Sequence, residues 1–177
     1  MTIYLFAEVL ALISAILYFY SVLQRKNKHL FAVNFTENLI TIIKNIILGA
    51  WSGAIVQVFG SGILCLKLFK IKNKLVENIL YYSIIIAQIA TSAYFNNHQL
   101  LGWIPIIASA GYYLLIKFVE KNTTIKFLLV INLTLWIIYY LFLGDYVGAL
   151  ANTASVTFTL IVTIRQYFSE NELNKSI

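Results

Sequence analysis

The chain has 177 residues, of which 60% are hydrophobic and 11% charged, with a mean hydropathy of +0.82 and a formal charge of +6. A soluble domain carries roughly twice that charged fraction, so a water-soluble globule is excluded. A helix needs about 20 apolar residues to cross a hydrocarbon core about 30 Å thick; seven crossings would take about 140 residues and leave about 37, too few for an extramembrane domain.

Seven apolar runs follow one another: Ile3 to Val22, Leu30 to Leu48, Trp51 to Phe69, Val76 to Phe95, Gln99 to Phe118, Ile125 to Leu143 and Tyr146 to Arg165. Open sheets would leave edge amides unsatisfied in lipid, and the alternation of a membrane barrel is missing, so the predicted class is an all-α integral membrane protein. The start, Met1-Thr2-Ile3-Tyr4, lacks the basic region and small-residue site of a cleavable signal, so the first run is expected to be retained as a span. Twelve of the thirteen Lys and Arg fall in or beside alternate connectors: Arg25, Lys26 and Lys28; Lys67, Lys70, Lys72 and Lys74; Lys117, Lys121 and Lys126; and Arg165 and Lys175 in the tail. The other connectors, Gly49-Ala50, Asn96-Asn97-His98 and Gly144-Asp145, carry none. The positive-inside bias then predicts a multi-pass protein with its N-terminus outside and its C-terminus cytoplasmic. The same bias accounts for the net charge, so no nucleic-acid partner is expected.

One cysteine, Cys65, and two distant histidines, His29 and His98, permit neither an internal disulfide nor a metal cluster. Asn34, Asn122 and Asn132 head glycosylation triplets by letter only, because they fall at the inner face or within the bilayer. No nucleophile elbow, phosphate loop or His-rich spacing occurs, so no enzyme activity, metal or cofactor is expected.

Shifting the chain by 95 residues aligns the first three runs with the last three without a gap. Identities number 12 over the 70 positions from Ile3 to Lys72, concentrated at Ser14-Ala15 with Ser109-Ala110, Tyr18 with Tyr113, Lys26-Asn27 with Lys121-Asn122, and Gly49 and Gly53 with Gly144 and Gly148. Gln57 meets Asn152, and Lys70 meets Arg165. The predicted organisation is a three-helix repeat over 1–72, a linker helix over 73–97, a second repeat over 98–167 and a cytoplasmic tail over 168–177. Three is odd, so the single linker span is what leaves the two repeats parallel. Parallel repeats about an axis normal to the membrane are a transporter plan with its site near mid-membrane.

This three-one-three plan resembles the superfamily that holds SWEET sugar facilitators, PnuC-type vitamin transporters and PQ-loop proteins. The stretch from Trp136 through Gly144-Asp145-Tyr146-Val147-Gly148 to Arg165, with Leu48-Gly49 through Lys70, most resembles the bacterial inner-membrane YgjV family. The resemblance implies an inner-membrane location and carriage of a small solute. The prolines that the sugar-facilitator pattern places in the first helix of each repeat are reduced here to Pro105, whose mate is Leu10.

Polar residues at membrane depth usually face a bundle interior. Gln57 and Asn152 lie about eight residues, roughly 12 Å, from the Gly pairs, near the bilayer middle; their amides suit a neutral or zwitterionic solute or serve as interhelical glue. Ser14 and Ser109 are deep and equivalent. Trp136, Tyr139 and Tyr140, with Tyr18 and Tyr113, offer stacking faces, whereas Trp51, Trp103 and Tyr146 suit the interface belt. In run two, Glu37 and Lys44 share a face about 10.5 Å apart along the axis. Lys44 is a candidate counter-ion for an anionic ligand group and Glu37 a candidate proton carrier, unless both snorkel to the interfaces. The expected partners are the lipid bilayer and a small polar solute, through a site of Gln57, Asn152, Trp136, Ser14, Ser109, Tyr139, Tyr140 and Lys44. The competing expectation is a non-transporting scaffold or accessory subunit, in which these side chains interdigitate without a cavity.

Overall fold

Each polar interruption of the apolar pattern becomes a turn, and each run becomes one helix. A computed structural model describes residues 2–69, 71–96 and 99–175. It contains α1 (Thr2–Val22), α2 (Asn27–Ile47), α3 (Trp51–Leu68), α4 (Lys74–Tyr94), α5 (Gln99–Ile116), α6 (Asn122–Leu143) and α7 (Tyr146–Lys175), and no strand among the described residues. All seven are long and apolar enough to cross a membrane. The readings of Lys70 as a repeat mate and of Asn97-His98 as a connector lie outside the described residues.

The helix ends depart from the apolar runs where polar residues set the boundary. Asn73 caps α4, its Oδ1 accepting from Leu75 N at 2.9 Å and Val76 N at 3.3 Å, so the helix opens before the apolar run does. The Lys26 carbonyl accepts from His29 N (3.0 Å) and Leu30 N (3.1 Å), which starts α2 three residues ahead of Leu30. Beyond Arg165, α7 runs on as helix to Lys175, through the segment expected as a tail.

Neighbour relations close a ring: α1 packs on α2, α2 on α3, α3 on α5, α5 on α6, α6 on α7, and α7 back on α1. Helix α4 lies outside, against α3 and α5. It is anchored by the fully buried Tyr81, whose hydroxyl donates to the Tyr113 carbonyl at 2.5 Å. Apolar side chains seal the ring at two levels. Val22, Leu30, Ile63, Ile116 and Ile125 belong to one cluster, toward the end that carries the basic connectors. Ala50, Val56, Ile106, Trp136 and Ala149 belong to the other. Between the two levels the interior is polar, while the outer surface shows large apolar side chains such as Ile16, Ile86, Ile107 and Leu150. Polar inside and apolar outside is the arrangement that lipid demands.

Tight turns at the second level are made twice in the same way. Gly49 (φ +68°) and Gly144 (φ +73°) end α2 and α6 in the left-handed region, and the next amide reaches back five residues: Ala50 N to Asn45 O at 2.8 Å, Asp145 N to Tyr140 O at 3.0 Å. An L-residue there costs about 1–2 kcal/mol. Gly49→Ala and Gly144→Ala should therefore each lower the apparent melting temperature in detergent by about 2–8 °C, at about 2–4 °C per kcal/mol for a chain of this size. Gly111→Ala, inside α5 with nothing within 4 Å of an added Cβ, should raise it slightly.

Candidate functional site

Helix α2 carries its polar residues at helical spacing: Asn34, Asn38, Thr41, Lys44 and Asn45 are all buried, whereas Leu39, Ile43 and Ile46 are exposed. The polar stripe thus turns toward the ring, the reverse of a soluble helix. It meets a central cavity of about 50 Å³, walled by α1, α2, α3, α5, α6 and α7 and, among the described residues, by none from α4.

Seven of the eight residues expected to form the solute site line this one cavity: Ser14 from α1, Lys44 from α2, Gln57 from α3, Ser109 from α5, Trp136 and Tyr140 from α6, and Asn152 from α7. Glu37, the expected proton carrier, lines it as well. Tyr139 does not. It is fully buried on the neighbouring face of α6, with its hydroxyl 3.4 Å from Ser52 Oγ and its ring against the Cα of Gly53, where an added Cβ would stand 3.4 Å from Cε1. It packs edge-on to Trp136 at 5.7 Å between ring centroids, and so supports a lining residue without being one.

Glu37 is held by hydroxyls. Ser14 Oγ donates to its Oε1 at 2.5 Å and Thr41 Oγ1 at 2.7 Å, with the two hydroxyls 3.1 Å apart. This cluster joins α1 to α2 inside the wall. Lys44 is occupied differently. Its Nζ donates to Asp145 Oδ2 at 2.8 Å, both side chains being almost fully buried, and lies 3.6 Å from the centroid of the Tyr140 ring. Asp145 Oδ1 accepts from Gly148 N at 2.8 Å, so the same carboxylate caps α7. A Cβ at Gly148 would collide with Asp145 Oδ2 and stand 2.8 Å from Lys44 Nζ, so the pair needs glycine beneath it. The ion pair therefore crosses from α2 to the start of α7, at the end of the ring opposite the basic connectors.

Several wall residues were not singled out from the sequence. Asn34, Asn38, Thr41, Tyr112 and Asn132 all line the cavity. Asn34 Oδ1, Asn132 Oδ1 and Tyr112 Oη are buried there with no hydrogen-bond partner among the described residues. Buried polar atoms without partners are uncommon and point to water or a ligand. The signal was present in the 3.6-residue spacing of polar letters from Asn34 to Asn45, and in the offset that makes Asn132 the mate of Glu37. Asp145 as partner of Lys44 was also traceable. Lys44 lies five residues from Gly49, and Asp145 is the single charge in the connectors of that end.

A polar cavity with a wall drawn from six apolar-faced helices is chemistry for a membrane interior. No curated protein and no solved structure matches the chain. The profile of the Imp-YgjV family, described as bacterial inner membrane protein, matches residues 5–170, nearly the whole length. With seven helices fit to cross the bilayer, the chain belongs to this family and is a multi-pass protein of the bacterial inner membrane.

Proposed function

We propose that the chain is a small facilitator that moves a small polar solute through this cavity. In this reading α1–α3 and α5–α7 are two parallel three-helix units, related to the SWEET and PnuC-type plan, that rock about the midplane while α4 links them. The observation that carries it is that residues 95 apart enter one cavity from helices opposite each other in the ring: Ser14 and Ser109, Glu37 and Asn132, Gln57 and Asn152. Packing lends further support. The contacts of α1 on α2, α2 on α3 and α3 on α5 recur as α5 on α6, α6 on α7 and α7 on α1. Two pairs of mates touch: Asn122 Nδ2 donates to Asn27 Oδ1 at 2.7 Å, and Tyr140 Oη to Asn45 Oδ1 at 3.4 Å. In this reading, mates in mutual contact stand on a two-fold axis between the units, with these two pairs toward its opposite ends.

In this reading the basic connectors lie on the cytoplasmic side, with the N-terminus of α1 outside and the end of α7 inside. The Lys44–Asp145 pair then shuts the outer side, and Glu37, the one carboxyl in the wall among the described residues, is the carrier through which a proton would couple to solute movement. Lys44, the other ionisable group of α2 in the wall, is separated from it by seven residues and already neutralised.

Three outcomes test this reading. With Cys65 replaced by Ser, a single cysteine at Asn152 should react with a membrane-impermeant thiol reagent in intact vesicles, and the rate should differ between the two faces. Silence from both faces would favour the scaffold. Epitope labelling should find the N-terminus outside and the C-terminus inside; both on one side would overturn the parallel units. Lys44→Met should leave a buried, uncompensated carboxylate and cost about 3–5 kcal/mol. That loss should appear as a melting point on the order of 10 °C lower in detergent, with most of it recovered in Lys44→Met/Asp145→Asn, which keeps an oxygen to cap α7.

A further inference from the structure

The charges around the cavity do not balance. Among the described residues its wall holds one carboxyl, Glu37, and one cation, Lys44, and Lys44 is spent on Asp145 at 2.8 Å. The two hydroxyls that reach Glu37 Oε1, from Ser14 and Thr41, are neutral. In the same wall, two side-chain carbonyl oxygens, Asn34 Oδ1 and Asn132 Oδ1, are buried with no donor among the described residues, alongside the unpartnered Asn38 Nδ2 and the hydroxyls of Tyr18 and Tyr112. Asn34 itself is 5% exposed, so water outside the protein does not serve it. Trp136, 3% exposed, adds an aromatic wall. A site with an unneutralised acid, acceptors that lack donors and an aromatic ring is complementary to a positive charge that brings its own N–H groups. An anion would be repelled by the Glu37 carboxylate, and a neutral amide would leave that charge for a proton to meet.

We infer that the solute is a small organic cation bearing N–H donors, an amine or a guanidine, whose charge is met by Glu37 and whose N–H groups are accepted by the side-chain oxygens of Asn34 and Asn132. This deepens the transport reading and rests on it for the cavity's role. The volume sets the size. At 10–15 Å³ of such space per water, about 50 Å³ admits about four heavy atoms. Guanidinium, with four heavy atoms and a charge fixed at any working pH, is the matching probe. A proton on Glu37 and the bound cation are then alternatives, since each satisfies the same carboxyl.

The full-length protein in detergent, titrated with millimolar guanidinium chloride against sodium chloride at equal concentration, should show a saturable rise in melting temperature that acetamide and acetate do not produce. Glu37→Gln should weaken the apparent affinity at least about tenfold, the loss of a charge-assisted contact. Asn132→Leu, which leaves the acid in place, should weaken it several-fold and guards against misfolding of the first variant. Equal shifts with sodium or acetamide, no shift with any probe, or an undiminished shift in both variants would overturn the inference. Uptake of labelled guanidinium by proteoliposomes separates the two claims. Binding without uptake would retain the cation site and sink transport, whereas uptake of acetamide without guanidinium binding would do the reverse.

Discussion

The constraint behind the whole structure is that lipid accepts no unsatisfied polar group, so a polar side chain within a span either turns inward or, like Thr36 and Thr157, bonds to its own helix backbone. Helix α2 shows the consequence most plainly, since Asn34, Asn38, Thr41 and Lys44 cannot face hydrocarbon and between them enforce a polar centre. Closing six helices around that stripe buries it and leaves Leu39, Ile43 and Ile46 outward. The apolar clusters above and below then shield the centre, so the cavity follows from the same rule that places isoleucine on the surface.

Helix α4 occupies a different position. It is outside the ring, and its largest buried contribution is Tyr81, which is fully enclosed and bonded to the backbone of α5. Lys117 Nζ, near the end of α5, lies 4.3 Å from the centroid of the same ring. One aromatic anchor thus ties the outlying helix at the end where α3 and α5 carry their lysines.

Much of this was legible beforehand. The helix count and the membrane setting followed from hydropathy, and Ser14, Ser109, Gln57 and Asn152 stood out because a polar letter in an apolar run has few places to go. What escaped was angular and pairwise information. Tyr139 and Tyr140 are adjacent letters, yet a step of about 100° turns one to Ser52 on α3 and the other to the cavity. Lys44 looked like a spare cation because its partner lies 101 residues away, in a turn whose shape depends on Gly144. The exact helix ends were not legible for a related reason: capping by Asn73 and the continuation of α7 past Arg165 depend on hydrogen bonding and helix propensity, neither of which hydropathy measures.

Asp145 divides its two oxygens between a backbone amide and a side-chain amine. One oxygen accepts from the amide of Gly148, in the first turn of α7, and the other holds the tip of a lysine on a four-carbon stem. If the two walls part at this point, the acid stays with its helix and the amine swings free with α2. The resulting entrance would have a fixed negative lip and a movable positive one, so its polarity would depend on where a single flexible side chain came to rest.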